Sequence, residues 1–251
     1  MTELKLRERR DAPVYFMESV DSTNTRLKEL ARQGAPHGTV AAALGQTGGR
    51  GRLGRSFASP PGGLYLSILW RPDFPPEKAA RLSCAGALAA SAAIEEVCGI
   101  STNIKWPNDL LLNGKKISGI LTEAAWQGEG RSFVIVGTGI NVNTECFPAE
   151  LKDIASSLYL ETGRHWDLEQ LAAAFIARLD SVYQGWGEDG GAFIEEYRRC
   201  CITPGRDILI DHEGGRARVY ALSVEDDYSL LIRWPDGKTE KKSFGEIFQL
   251  V

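Results

Sequence analysis

The sequence predicts an α+β protein: a mixed sheet with packed helices, followed by a small β-barrel. Three observations carry that prediction. Apolar runs of strand length alternate with helix-length segments through residue 202. The alternation stops at the Pro204–Gly205 break, and five short strand candidates crowd the residues that follow it. The chain therefore divides into a larger unit at 1–202 and a small barrel at 203–251. With 251 residues, 43% of them hydrophobic, it is long enough to bury a sizeable core.

In chain order, DSTNTRLKELARQG (21–34) reads as a helix, with Asp21, Ser22 or Thr23 as its cap and Gly34 as its stop. TVAAALG (39–45) and LYLSILW (64–70) have strand length and composition, and the alanine-rich run from about 78 to 97 reads as a buried helix. Within LLLNGKKI, Asn113–Gly114 is a strong two-residue hairpin signal. ISGILTEA (117–124) and SFVIVGTGINVN (132–143) form a second strand pair across the QGEG turn. WDLEQLAAAFIARLDSVYQ (166–184) is amphipathic at helical spacing, and GGAFIEEYRRC continues as a shorter helix. DILIDH, RARVYALSV, SLLIRW, EKKSF and EIFQLV are the strands of the barrel. The tryptophans at 70, 126, 166, 186 and 234 read as core or interdomain packing.

Composition narrows the function. A net charge of −4 gives no electrostatic support for wholesale nucleic-acid binding. The stretch around Cys84 to Ile94, broken by Gly86 and Ser91, falls short of the roughly 20 apolar residues of a membrane span. The charged start MTELKLRERRD shows no secretory pattern, so a cytoplasmic location and no membrane partner are expected. Cysteines 84, 98, 146, 200 and 201 make an odd count with no C-x-x-C spacing, which favours reduced thiols. His37, His165 and His212 stand too far apart in sequence for a zinc site, and no metal ligands are expected.

Two charged stretches stand out. GGRGRLGRSF (48–57) places three arginines and four glycines in one loop, pairing close backbone approach with planar donor forks suited to carboxylate or phosphate. In KWPNDLLLNGKKISG (105–119), Trp106–Pro107 forces an extended or turned backbone while Lys105, Asn108, Asp109, Lys115 and Lys116 crowd one hairpin. A plain hairpin accounts for Asn113 and Gly114 but not for the run from Lys105 to Asp109. At Ser22 to Asn24, a helix cap is the simple reading beside any binding role.

Taken together, STN (22–24), GQTGGRGRLGR (45–55), KWPNDLLLNGKKISGIL (105–121) and GTGINVN (137–143), followed by a small barrel, resemble the biotin protein ligase family over nearly the whole chain after residue 14. The resemblance implies a biotin/lipoate ligase-like catalytic domain with an SH3-like barrel. It also implies two half-reactions: biotin and ATP give biotinyl-5'-AMP and pyrophosphate, and a lysine of a biotin carboxyl carrier protein then takes the biotinyl group. Attack of a carboxylate on the α-phosphorus brings two anions together, so fixed cations are needed, with Mg2+ expected on the phosphates.

By the same resemblance biotin lies near Ser22, Thr23, Asn24, Gln46, Gly49, Arg50, Gly51, Arg52, Lys116 and Gly119. The nucleotide lies near Arg50, Arg52, Arg55, Lys105, Asn108, Asp109, Asn141 and Asn143. Arg52, Lys116 and Asp109 are the expected catalytic residues. Lipoate and octanoyl transferases share the fold, but the intact GRGRLGR and KWPND pair argues against them. Phe57 replaces the tryptophan usual at its position, which keeps apolar bulk and loses an indole N–H. DSTN begins at residue 21, and the expected form is therefore the stand-alone ligase, without an N-terminal DNA-binding domain and without a DNA partner. A homodimer is compatible with the family.

Overall fold

The computed structural model describes residues 2–3, 11–72, 81–125, 133–185, 191–212, 215–243 and 245–250. An eight-stranded sheet is formed by β1 (Thr2–Glu3), β2 (Val14–Met17), β3 (Val40–Ala43), β4 (Leu64–Trp70), β5 (Asn103–Lys105), β6 (Asp109–Leu112), β7 (Lys115–Ala125) and β8 (Phe133–Ile140). Its spatial order is β1-β2-β3-β4-β8-β7-β6-β5. Among the described strands only the β2–β3 pair is parallel, so the sheet is mixed, as the sequence predicts. Strands β2 and β5, of four and three residues, escape sequence reading because each is too short to show a period.

The alternation of strand side chains decides what each face holds. Ala41, Leu69, Phe133 and Ile135 point to one side and bury Leu27, Leu30 and Ala31 of α1 (Thr23–Arg32). Their neighbours Val40, Ala42, Ile68, Trp70, Val134 and Val136 belong to the main core on the other side, with α2 (Leu82–Cys98) and α4 (Leu168–Gly185). The alanine-rich α2 is buried on nearly all sides because it lies between the sheet and α4. Small side chains are what allow that double contact. At the start of α1, Ser22 is extended and its hydroxyl accepts from Thr25 N at 3.5 Å. The guanidinium of Arg71 satisfies the carbonyls of Ala31 and Ala35 beyond its other end, at 3.0 and 2.8 Å.

Between β6 and β7, Asn113 and Gly114 have φ of 51° and 80°, the two left-handed positions that a tight type I′ hairpin requires. Two short helices, α3 (Leu158–Thr162) and α5 (Ile194–Cys200), complete this part. The QGEG turn, Trp126, Trp186 and residues 78–80 of the predicted helix lie outside the described residues.

Five more strands, β9 (Arg206–His212), β10 (Gly215–Val224), β11 (Leu230–Arg233), β12 (Thr239–Lys242) and β13 (Ile247–Leu250), form an antiparallel sheet in the order β12-β11-β10-β9-β13. Each of the five predicted barrel strands is present, and the sheet is consistent with an SH3-like domain. Its apolar side joins the main core through Ile208, Val219, Leu230 and Ile232. Trp106 spans the junction: its backbone N donates to Thr203 Oγ1 at 2.9 Å and its indole to Tyr228 O at 2.8 Å. No helix among the described residues is long and apolar enough to cross a membrane. Histidines 37, 165 and 212 each lie against a different aromatic ring, Tyr183, Tyr159 and Trp234.

Candidate functional site

The glycine–arginine loop folds back on itself. Phe57 N donates to Gly49 O at 2.9 Å and Gly51 N to Arg55 O at 2.7 Å, while a short turn over Arg52–Gly54 carries Leu53 at φ 54°. Gly49 is needed where the two arms touch, since a Cβ there would stand 2.4 Å from both Phe57 O and Ser59 Oγ. It lines neither cavity described below. The loop's cations spread outward from this hairpin. Arg50 donates to Glu123 Oε2 at 2.9 Å, Arg52 to Asn108 Oδ1 at 2.8 Å and to Gly245 O at 2.6 Å, and Arg55 pairs with Glu246.

Two cavities meet under the loop. The larger, with about 660 Å³ of open space, takes Arg50, Arg52, Arg55, Lys105 and Lys116 as basic lining, against the carboxylates of Asp109 and Glu246. The smaller, about 330 Å³, is lined by Ser22, Thr23, Asn24 and Gln46 over a floor of Gly137, Thr138 and Gly139. Arg50, Phe57, Gly119 and Leu121 line both, so the spaces form one elongated site with a neutral end and a cationic end. Neutral hydrogen-bonding groups at one end and fixed cations at the other suit a molecule with an uncharged polar head and an anionic tail.

The floor depends on missing side chains. Gly119 of β7 pairs directly with Gly139 of β8. A Cβ on Gly139 would sit 2.5 Å from the Phe57 ring, and one on Gly137 would sit 1.9 Å from Asn24 Oδ1. These glycines let Phe57 and Asn24 rest on the strands, and Phe57 stands as the partition between the two cavities.

In the cationic cavity Lys116 Nζ lies 2.7 Å from Asp109 Oδ1, and Lys105 Nζ lies 3.6 Å from Asp109 Oδ2. Lys105 also donates to Ile247 O at 3.1 Å, which ties the hairpin to β13. Burial pulls the Arg52 guanidinium below its ordinary value, against the opposing fields of Asp109 and Glu246. Glu123 is held below the usual carboxylate range: its burial pushes the other way, but hydrogen bonds from Lys28 and Asn24 and the charges of Lys28 and Arg50 outweigh it.

Sequence reasoning placed Ser22, Thr23, Asn24, Gln46, Arg50, Gly51, Arg52, Arg55, Lys105, Asn108, Asp109, Lys116 and Gly119 at the site, and all of these line one cavity or both. Asn141 and Asn143, also expected at the nucleotide, line neither cavity. Asn141 Nδ2 donates to Ser156 O at 3.0 Å, while the amide of Asn143 clasps the Trp166 backbone, giving to its O and accepting from its N at 2.9 Å each. An asparagine amide mirrors a peptide group, and here both side chains fasten the segment after β8. Sequence reasoning missed Glu123, Ser67, Glu246 and Ile247. A lone glutamate ending the apolar run ISGILT was the available signal for the first; the barrel residues carried none.

Residues 16–141 match the Biotin/lipoate A/B protein ligase family. The chain is 33% identical over 235 residues to the biotin–[acetyl-CoA-carboxylase] ligase of Paracoccus denitrificans, covering 89% of this chain and 95% of that one. It is 36% identical over 228 residues to the bifunctional ligase/repressor BirA of Bacillus spizizenii, covering 89% of this chain and 70% of that one. Among solved structures, the biotin protein ligase from Aquifex aeolicus in complex with biotin and ATP superimposes with a TM-score of 0.81 at 31% identity, covering 95% and 98% of the two chains.

Proposed function

The chain belongs to the biotin protein ligases of the biotin/lipoate A/B protein ligase family, and from that premise we propose how its two joined cavities divide the reaction. The activity is ATP-dependent protein biotinylation: biotin is activated as biotinyl-5'-AMP and passed to a lysine of a carboxylase carrier. The observation that carries the division of labour is the shared lining of the cavities by Arg50, Phe57, Gly119 and Leu121. Biotin's neutral ureido ring occupies the end formed by Ser22, Thr23, Asn24 and Gln46. Its valeryl chain passes Phe57, and its carboxylate emerges among the cations beside ATP.

At that end Arg50, Arg52 and Lys116 offset the repulsion between carboxylate and α-phosphate. Each charge-assisted hydrogen bond is worth about 1.5–3 kcal/mol, so two or three together supply several powers of ten in rate. Preorganised in the fold, they cost little reorganisation when the pentacoordinate phosphorus forms. Arg55, Lys105 and Asn108 line the nucleotide side. Asp109, held between two lysines, stands where the carrier amine arrives to attack the adenylate carbonyl, and serves there as a proton acceptor. Magnesium enters with the substrate as MgATP.

In this reading the boundary between catalytic unit and barrel falls at 202/203, just before Thr203, whose hydroxyl receives Trp106 N. The cytoplasm, where ATP is at hand and the five thiols stay reduced, suits the chemistry. A net charge of −4 speaks for a protein carrier and against DNA as the partner, and light scattering with and without biotin decides whether the enzyme is a homodimer. The deciding experiment is incubation with biotin, MgATP and a biotin carboxyl carrier domain, read by intact mass of the carrier. A carrier that gains one biotinyl group supports the reading; an unmodified carrier, with lipoate accepted in place of biotin, overturns it.

A further inference from the structure

We propose that Glu123 is a positioning residue that sets the hydrogen-bond polarity of the ureido-end cavity, through Asn24 and Ser67. The inference rests on the reading of that cavity as the biotin site. Glu123 is half-buried at the end of β7, where Oε1 receives Lys28 Nζ at 2.6 Å and Oε2 receives Asn24 at 2.8 Å and Arg50 at 2.9 Å. An ionised carboxylate only accepts, so the Asn24 atom facing it must be the amide nitrogen. That nitrogen also reaches Leu121 O at 3.3 Å, which commits both of its hydrogens.

The consequences run along the chain of contacts. With its nitrogen turned to Glu123, Asn24 presents Oδ1 to Ser67 Oγ, 2.6 Å away. Ser67 is fully buried and owns one hydroxyl hydrogen, which this contact takes. Ser67 Oγ also lies 2.7 Å from Thr23 Oγ1, whose one hydrogen has a second acceptor within reach, Gln46 Oε1 at 3.1 Å; with the serine hydrogen given to Asn24, the shorter contact takes the threonine hydrogen and Thr23 donates to Ser67. Gln46 is oriented from the other side by a backbone group, since its Oε1 receives Thr23 N at 2.8 Å and its nitrogen then turns to Ser59 Oγ at 3.0 Å.

What remains toward the cavity is a defined pattern. Asn24 Oδ1 keeps a lone pair, Thr23 Oγ1 keeps its lone pairs, and Ser22 keeps a hydroxyl hydrogen while its oxygen caps α1. Two acceptors and a donor complement a cyclic urea, which offers two N–H groups and one carbonyl. Were Asn24 flipped, its N–H would face Ser67, the serine would donate to Thr23, and the cavity would meet the urea's N–H groups with a hydrogen of its own. The charge of Glu123 excludes that arrangement, and Lys28 and Arg50 keep the charge in place.

The test is a double-mutant cycle on the full-length enzyme, reading KM for biotin, KM for MgATP and kcat of adenylation. Glu123→Gln, whose amide can face Asn24 either way round, is expected to raise the biotin KM by about tenfold or more while the MgATP KM stays within about twofold. Ser67→Ala, which touches neither charge, is expected to do the same, and the double variant to lose much less than the product of the two, because both break one chain. Fully multiplicative losses, or a rise in MgATP KM equal to that for biotin, would overturn the proposal. If Glu123→Gln does not fold, Ser67→Ala decides, and an unchanged biotin KM refutes the relay. Gln46→Ala separates the two levels: if it leaves biotin binding intact, the cavity is not the biotin site; if it weakens biotin while Glu123→Gln does not, the polarity proposal alone fails.

Discussion

Lys116 and Asp109 face each other across the hairpin formed by β6 and β7, Nζ to Oδ1 at 2.7 Å, with the lysine about a third exposed at the mouth of the cationic cavity. In the proposed reading the pair places the lysine ammonium where the biotin carboxylate and the α-phosphate meet. Lys116→Ala should lower kcat for adenylation by on the order of a hundredfold and change biotin affinity far less, since the missing charge is needed most at the pentacoordinate phosphorus. Supplying preformed biotinyl-5'-AMP should restore much of the carrier labelling. Equal losses in both assays would mean that Lys116 serves acyl transfer as well.

Gly139 and Phe57 make a second testable contact. A Cβ at Gly139 would fall 2.5 Å from the ring, and Phe57 also separates the two cavities. Gly139→Ala must therefore push Phe57 into the space assigned to the valeryl chain. The expected outcome is a folded protein, destabilised by about 1–3 kcal/mol from overpacking, whose biotin KM rises more than its MgATP KM. A variant with unchanged biotin kinetics would show that the ring is not the partition.

Much of this architecture was legible in the sequence because its signals are local. Asn113–Gly114 announces a two-residue hairpin, Ser22 announces a cap, and arginines between glycines announce a cationic loop. The barrel strands could be counted because turn residues punctuate them. Other features depend on distant pairings that no local pattern encodes. Glu123 joins Asn24 and Arg50 across 99 and 73 residues, and Arg52 reaches Gly245 across 193. The contacts of Asn141 and Asn143 are hidden for the same reason: their motif sits beside the glycine floor, and the fold turns both amides to backbone groups at Ser156 and Trp166.

The thiols divide by burial. Cys84, in α2, is fully buried, and burial pushes its thiol up to about 12; Cys201 is likewise raised by burial, while Cys146 is exposed. Only the thiolate alkylates, so iodoacetamide at neutral pH should label Cys146 first and leave Cys84 and Cys201 unmodified until the protein is denatured. Peptide mapping of a time course checks this, and early labelling of Cys84 would mean that the core opens under native conditions.

The last prediction concerns acid stability and again turns on Glu123. Lys28 and Asn24 from α1 and Arg50 from the loop face its carboxyl group and hold it below the ordinary carboxylate value, outweighing its burial. A depressed folded-state value means that the unfolded chain takes up the proton first as pH falls. The stabilisation is therefore fully present above the unfolded value of about 4.3 and is lost as the pH drops through the lower folded value. Glu123→Gln removes the titrating group along with its ion pairs. The variant should melt below the wild type at pH 6 to 7, and the gap between the two melting temperatures should narrow below about pH 4.5 as the wild-type carboxylate protonates. Melting curves of both proteins from neutral to acid pH measure this. A constant gap across the range would show that the loss comes from packing, and that the charge of Glu123 does not hold α1 and the arginine loop to β7.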